Sequence, residues 1–345
     1  MVGTPGDSRL GDNAGAAFVF ERAGETWIQV AELAAGYSRD FAHFGAQVAI
    51  SEDTRVIAVS APGDSNPTTD PFAQTQTDDR IGSVTLYRFD ATTRRWLLSD
   101  YLQPDNNSGE NAAINFGATI DLSTNGTVLA VAAPRDVRSS DSVGIDMGSA
   151  YIFDLTSGPG QLIQQLGAGF ANADDVNDSA HCGNQQAPGM RSVFSENLAL
   201  SDDGQILVID CLSKPGVTIN RNDIAEKPQA RVHLFERDAD GLFVASAELT
   251  PAGFHGINSE LTVAVSADSD TVAAALLNPG SEANTLTVFS KFTDSSVADL
   301  QIWNTLNIFE QPDPGALNFG SSLEFSSGGE RLFVGADSSG SVYLY

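Results

Sequence analysis

The chain has 345 residues, and 41% of them are hydrophobic, which excludes a disordered composition and allows a sizeable buried core. It carries 18 basic and 45 acidic residues, a formal net charge of −27, which argues against binding nucleic acid or an anionic membrane surface. No apolar run reaches the roughly 18 residues of a membrane span, so no membrane insertion is expected. No signal peptide is visible at residues 1–10.

The elements predicted in chain order form a recurring set of four short strands. A first strand follows a Phe-Gly pair at Phe44, and a polar turn leads to a second strand at Val56–Val59. A third strand starts near Gly82 after a variable loop, and a fourth ends on a leucine such as Leu102 or Leu306. Alternation with a period of two over short runs predicts strands, and no segment shows a sustained helical period. Copies of the set begin at or near Phe44, Phe116, Phe194, Leu261 and Phe319.

Repeated four-stranded antiparallel units predict an all-β fold of the β-propeller class, because stacked blades bury the faces that one sheet alone cannot cover. We expect a single domain over residues 1–345 with about six blades, one of them incomplete. A fragment of a seven-bladed ring is the alternative. The Phe-Gly anchors are expected to pack between blades, with the glycine allowing close backbone approach. These anchors are Phe44-Gly45, Phe116-Gly117 and Phe319-Gly320.

The order of these motifs also carries a family resemblance. A Phe-Gly pair, a Ser-Ala-Pro or Ala-Ala-Pro step and a Gly-Ala-Phe-Val-Phe type of strand resemble FG-GAP repeats, which are the blades of integrin α-subunit propellers and of many bacterial surface and secreted proteins. The chain is most similar to the bacterial branch. The resemblance implies a location outside the cell or at its surface, with the periplasm as the alternative. It weakens at Phe194, where Ser195 replaces the glycine, and near Leu261.

FG-GAP blades often bind calcium through an Asp-x-Asp-x-Asp-Gly-x-x-Asp loop, which this sequence lacks. The equivalent turns, such as Ser51–Arg55, hold at most two acids each and are predicted to be ordinary turns. Asp136 with Asp141 and Asp146 forms an acidic cluster that we expect in a solvated loop. The best calcium candidate is a second acidic loop, formed by Asp174, Asp175, Asn177 and Asp178. A solvated loop is favoured there too, and no other cofactor is expected.

Cys182 and Cys211 are the two cysteines, and they would form a disulfide in an oxidising compartment; two unpaired thiols are the alternative. His181 lies beside Cys182, but no second Cys-His pair accompanies it, so a structural role is favoured. No Gly-x-Ser-x-Gly nucleophile motif occurs. The sequence therefore names no catalytic residue.

Long loops are the remaining candidates for function. They lie at residues 63–81, 135–147, 167–193 and 212–229. The leading hypothesis is a monomeric, non-enzymatic adhesion or binding scaffold that engages a protein or glycan ligand through these loops. One alternative is a secreted enzyme with its active site at the mouth of a central channel. Another is a purely structural module of a larger surface protein.

Overall fold

A computed structural model describes most of the chain. The described residues are 1–35, 40–53, 55–65, 80–104, 114–136, 146–167, 190–215, 230–253, 259–278, 284–294, 300–312 and 318–345. Within them the regular structure is β-strand, and no helix has the length and apolarity needed to cross a membrane. The chain divides into two compact units, residues 1–138 with 148–166 and residues 139–147 with 167–345.

The first unit contains three antiparallel sheets, which we call blades 1 to 3. Strands are numbered along the chain. Blade 1 consists of β1 (Val2–Thr4), β2 (Ala16–Ala23) and β3 (Thr26–Leu33). Blade 2 consists of β4 (Val48–Ile50), β5 (Val56–Ala61), β6 (Ser83–Asp90) and β7 (Arg95–Leu102). Blade 3 consists of β8 (Ile120–Leu122), β9 (Val128–Ala133), β11 (Ser149–Asp154) and β12 (Gln161–Gly167).

The second unit contains blades 4 to 6. In blade 4, a short parallel strand, β10 (Asp146–Met147), precedes β13 (Met190–Leu200), β14 (Ile206–Pro215), β15 (Ala230–Arg237) and β16 (Phe243–Leu249). Blade 5 consists of β17 (Glu260–Val265), β18 (Thr271–Leu277), β19 (Thr285–Asp294) and β20 (Leu300–Glu310). Blade 6 consists of β21 (Phe319–Phe325), β22 (Leu332–Ala336) and β23 (Ser341–Leu344).

The predicted fold class is confirmed: the described residues form six β-propeller blades of three or four antiparallel strands, with β10 added to blade 4. Both terminal blades contain three strands. β1 pairs with β2 as β5 pairs with β6, so Val2–Thr4 holds the place of a second strand in blade 1. The single domain over residues 1–345 and the seven-bladed alternative stay predictions.

One strand boundary was wrong. The fourth strand of blade 5 does not end at Leu306, which is exposed, but continues to Glu310. A register shift between Val288 and Phe289 displaces the pairing by one residue, and Phe309 then lies opposite Leu286. Phe309 therefore takes the place that a leucine holds at the end of other fourth strands.

Both faces of a blade are buried where a blade lies on each side. In β5 of blade 2, Val59 packs with Phe44 and residues of blade 1. Ala58, one residue earlier, faces the opposite way and packs with Phe116 and residues of blade 3. This is the direct consequence of the period of two in a strand. The apolar residues that alternate along this strand therefore contact two different neighbouring blades.

The anchor phenylalanines lie at the centre of these contacts. Phe44 meets the ring of Tyr87 edge-on at 6.5 Å between centroids, and Phe116 meets Tyr151 in the same way at 5.3 Å. Edge-to-face pairs at such distances stabilise beyond the area that they bury. The fully buried anchors are Phe44, Phe116 and Phe319.

Candidate functional site: the loop frames

In the first unit, each connection from a second to a third strand is closed at its base by the same hydrogen bond. A glycine N–H donates to the backbone carbonyl of an aspartate at 2.9 Å in all three blades. We call these closures the loop frames. They pair Asp7 with Gly15, Asp64 with Gly82 and Asp136 with Gly148. The intervals that they enclose are residues 8–14, 65–81 and 137–147. One geometry therefore supports three different loops.

Only glycine fits the closing position of a frame. Gly82 has φ +88°, and a Cβ built on it would lie 2.0 Å from the carbonyl oxygen of Phe116. Gly15 has φ +86°, and its Cβ would lie 2.1 Å from the carbonyl oxygen of Phe44. The backbones come so close because each glycine forms an isolated parallel bridge with the anchor of the next blade. The glycine that closes the base of the loop is thus also part of the contact between two blades.

In blade 2 the side chain of the frame aspartate is also engaged. Asp64 is buried, and its Oδ2 accepts hydrogen bonds from the hydroxyls of Ser83 at 2.8 Å and Tyr101 at 2.6 Å. These donors come from the third and fourth strands. A buried carboxylate needs such partners because desolvation otherwise disfavours its charge. Asp64 consequently ties three strands together under the loop.

Blade 3 builds the equivalent cluster from other side chains. Asp136 is fully buried, and its Oδ2 accepts hydrogen bonds from the Tyr151 hydroxyl and from Gln165 Nε2, the latter at 3.2 Å. Gln165 also donates to Ser149 Oγ at 3.2 Å. Ser149 follows the frame glycine just as Ser83 does in blade 2. The backbone closure is the same, but the supporting side chains differ.

Blade 1 uses an exposed ion pair at the same place. Arg9, which belongs to the enclosed loop, donates from Nε to Asp7 Oδ2 at 2.8 Å, and its Nη2 lies 3.0 Å from Glu32 Oε1. Its guanidinium also lies over the ring of Phe18, 5.4 Å from the centroid. The hydrogen bond from Arg9 lowers the pKa of Asp7. Here the loop supplies its own partner to the frame.

Blade 4, in the second unit, replaces this chemistry. Cys211 pairs with Arg231 as Ala61 pairs with the first residue of β6, so the register places Lys214 where blade 2 has its aspartate. Arg231 Nε donates to Glu248 Oε1 at 2.8 Å. Beside them, His233 is buried. Burial, followed by the positive charge of Arg231, lowers the pKa of His233 to about 4, so this imidazole is neutral at pH 7.

The opposite edge of the blades carries hairpin turns that are far more uniform. In blade 3, the Ser123 hydroxyl donates to Asn125 Oδ1 at 2.9 Å, and its oxygen accepts the N–H of Val128 at 2.9 Å. Asn125 also accepts the N–H of Thr127 at 3.0 Å. The same arrangement, with a buried serine and an aspartate or asparagine two residues later, occurs at Ser51, Ser123, Ser201 and Ser266. The turn acids are thus used within the turns, as predicted.

The repeat can now be compared with known proteins. Residues 27–73 match the FG-GAP repeat family. The matched segment includes β3 from its second residue, the first two strands of blade 2 and the frame residue Asp64. The chain is a β-propeller that contains an FG-GAP repeat at residues 27–73. A comparison of its sequence with curated proteins gave no match.

Solved structures similar to this chain include the Kuenenia stuttgartiensis hydrazine synthase, with 14% identity, a TM-score of 0.49, and 92% of this chain and 74% of that one covered. A putative 6-phosphogluconolactonase from Bacteroides uniformis has 14% identity and a TM-score of 0.44, with 100% and 90% covered. Porphyromonas gingivalis dipeptidyl peptidase 4 has 11% identity and a TM-score of 0.42, with 86% and 37% covered. At this similarity, these proteins carry no argument about the function of this chain.

Several predicted site residues of this chain lie outside the described residues. These are Asp174, Asp175, Asn177, Asp178, His181 and Cys182. Cys211 is fully buried in β14. The calcium site and the disulfide therefore stay predictions. Within the described ranges, no group of three or more His, Cys, Asp or Glu side chains is placed to hold a metal ion.

One expectation about acidic residues was wrong. Asp136 does not lie in a solvated loop, because it is fully buried in a frame. The buried Asp64 was not predicted from the sequence. Both follow a strand that ends in Ala-Pro and come two residues after the proline, as Asp7 does after Thr4-Pro5. This recurrence was the available signal. The partner Tyr101 gave none, because only the strand register brings it to Asp64.

Proposed function

We propose that the chain is a non-enzymatic scaffold that acts outside the cell or at its surface and binds a protein or glycan ligand through the loops held by its frames. The single observation that carries this proposal is the invariant closure beneath intervals of unequal length. Binding proteins commonly carry variable loops on a rigid framework. An extracellular location agrees with the FG-GAP repeat and with the formal net charge of −27, which favours solubility.

The frames are suited to this role because they separate loop from fold. The enclosed residues can change without disturbing the bond between Asp64 and Gly82 or the blade contact at Phe116. Residues 65–81 include two prolines and one phenylalanine, whereas residues 137–147 include neither residue type. Neighbouring blades of one unit therefore offer chemically different loops from equivalent positions.

Replacement of one loop tests the proposal. Residues 66–79 are exchanged for a short Gly-Ser linker, with Asp64 and Gly82 kept, and both proteins are screened against a glycan array and immobilised extracellular matrix proteins. We expect the thermal unfolding midpoint to be retained and binding of at least one ligand to fall about tenfold.

Two further variants make the comparison specific. The same exchange at residues 137–145 tests the next frame, and a Gly-Ser exchange of the exposed hairpin turn at residues 91–93 serves as the matched control. The control should bind as the unmodified chain does. If every ligand binds both loop variants as tightly as it binds the unmodified chain, the frames do not present the binding site.

A further inference from the structure

The hairpin turn of blade 3 contains the one Asn-Gly pair of the sequence, Asn125-Gly126. Such a pair is prone to deamidation, because glycine has no side chain to hinder attack by its own backbone nitrogen. In this reaction the nitrogen of Gly126 bonds to the side-chain carbonyl carbon of Asn125, and ammonia leaves as a succinimide ring closes. Water then opens the ring to aspartate or isoaspartate. The net change replaces an amide by a carboxyl group, with water consumed and ammonia released.

In the folded turn, both reacting groups are engaged in hydrogen bonds. The N–H of Gly126 donates to the backbone carbonyl of Ser123 at 2.8 Å. The side-chain oxygen of Asn125 accepts the Ser123 hydroxyl at 2.9 Å and, from Thr127, the N–H at 3.0 Å and the hydroxyl at 2.6 Å. Ring closure requires the nitrogen to lose its proton and the Asn125 side chain to rotate toward it. The folded turn therefore opposes a reaction that its residue pair favours.

Blade 2 covers the same turn. Gly126 is buried, and a Cβ built on it would lie 3.1 Å from Ser51 Cβ and 3.2 Å from Val56 Cγ2. Beside it, the N–H of Glu52 donates to the backbone carbonyl of Thr124 at 2.9 Å. The backbone around Gly126 can therefore reorient only when the turn moves away from blade 2.

The aspartate product already has counterparts in this chain. Asp53 in blade 2 and Asp203 in blade 4 hold the position of Asn125 in their turns. Each accepts a serine hydroxyl at 2.6 Å and a backbone N–H at 3.0 Å. Isoaspartate lengthens the main chain by a methylene group, and this disrupts the spacing of the turn. The closed turn is thus compatible with aspartate but not with isoaspartate.

We propose that Asn125 is a deamidation site that the fold protects and that is modified when the turn of blade 3 opens from blade 2. The aspartate that forms fits the closed turn and adds a negative charge to it. Because ammonia is lost, refolding does not reverse the change. The modified fraction therefore records how often this contact between two blades has opened.

The rate of deamidation tests the proposal. The full chain and a synthetic peptide of residues 121–129 are incubated in mildly alkaline buffer, and the asparagine, aspartate and isoaspartate forms are quantified by chromatography and mass spectrometry. We expect the folded chain to react at least about tenfold more slowly than the peptide, because its turn must open first. Urea below the unfolding transition should accelerate the reaction of the chain but not that of the peptide. Equal rates in chain and peptide would overturn the proposal.

Three variants of the full chain complete the test. Ser123→Ala removes a hydroxyl that holds both Asn125 and Val128, and it should accelerate deamidation about tenfold. Thr93→Ala, in an exposed turn of blade 2, is the matched control and should leave the rate unchanged. Asn125→Asp reproduces the product and should retain the thermal unfolding midpoint. An unchanged rate in Ser123→Ala or a lowered midpoint in Asn125→Asp contradicts the proposal, and the urea series decides it if Ser123→Ala does not fold.

Discussion

The two edges of the blades solve the same problem in different ways. The hairpin turns between first and second strands repeat one solution, a buried serine such as Ser123 with an acid or amide two residues later. The loop frames keep only the backbone closure and change their side chains, from Arg9 in blade 1 to Tyr101 in blade 2 and Gln165 in blade 3. Side chains that recur from one hairpin turn to the next indicate that the fold requires them. Side chains that vary around a constant backbone hydrogen bond, as in the loop frames, indicate where the chain can acquire function.

If the frame is a rigid closure, its glycine should be the most sensitive position. Gly82→Ala should destabilise the chain by about 3 kcal/mol or more, because alanine meets both the positive φ and the carbonyl of Phe116. Gly24→Ala is the matched control: Gly24 has φ +67°, but its Cβ would meet no atom within 4 Å, so about 1 kcal/mol is expected. Urea unfolding measures the free energy of unfolding of both variants, and equal losses of stability would contradict a steric role of the frame glycine.

The uniform edge should be next in sensitivity. Ser123→Ala removes the acceptor of the buried Val128 N–H, and we expect a loss of about 2 kcal/mol in the free energy of unfolding. Thr93→Ala removes a hydroxyl that donates to Asp90 in an exposed turn and should cost about 0.5 kcal/mol or less. If the two variants lose the same free energy of unfolding in urea, the buried serine does not stabilise the turns.

In blade 4, which lacks the frame aspartate of blade 2, the prediction concerns the protonation of a buried histidine. The pKa of His233 is about 4 in the folded chain, compared with an ordinary 6.5, so the unfolded chain binds the proton more tightly. Stability is therefore lost as pH falls from about 6.5 toward 4, and this histidine should account for about 1 kcal/mol between pH 7 and 5.5.

His233→Phe isolates that contribution, since an aromatic ring at this place keeps the contact with Phe194. Unfolding free energies of both proteins are compared at pH 7 and 5.5. The variant should lose less stability than the unmodified chain over this interval. Identical pH dependence would show that His233 is not held neutral by the fold.

The smallest effect is expected for an aspartate-to-asparagine substitution in a hairpin turn, because another blade already has asparagine at the equivalent position. Asp53 accepts the Ser51 hydroxyl in blade 2, and Asn125 accepts the Ser123 hydroxyl in blade 3. Asp53→Asn should therefore change stability by less than about 0.5 kcal/mol. Thermal unfolding with and without calcium makes the test stricter. A calcium-dependent midpoint that disappears in this variant would mean that the turn acid binds metal after all.

Local pattern was sufficient to predict the blades. The period of two in Val56–Val59 predicted strand and core together, since alternate residues meet different neighbours. The bulge in blade 5 was not predictable, because both Leu306 and Phe309 are apolar and only the register chooses between them. The frames were missed for a similar reason. Asp64 and Tyr101 are distant in sequence, and their hydrogen bond exists only after β6 and β7 have paired.

The closed base of each frame also bears on how such a chain can change over generations. Because the two ends of the interval are already held together, lengthening it adds only the entropy of a longer closed loop. Each doubling costs about 0.6 kcal/mol, less than many single substitutions in a core. Insertions between Asp64 and Gly82 are therefore nearly neutral for folding. The frame makes this interval a place where new sequence can accumulate before it has any use.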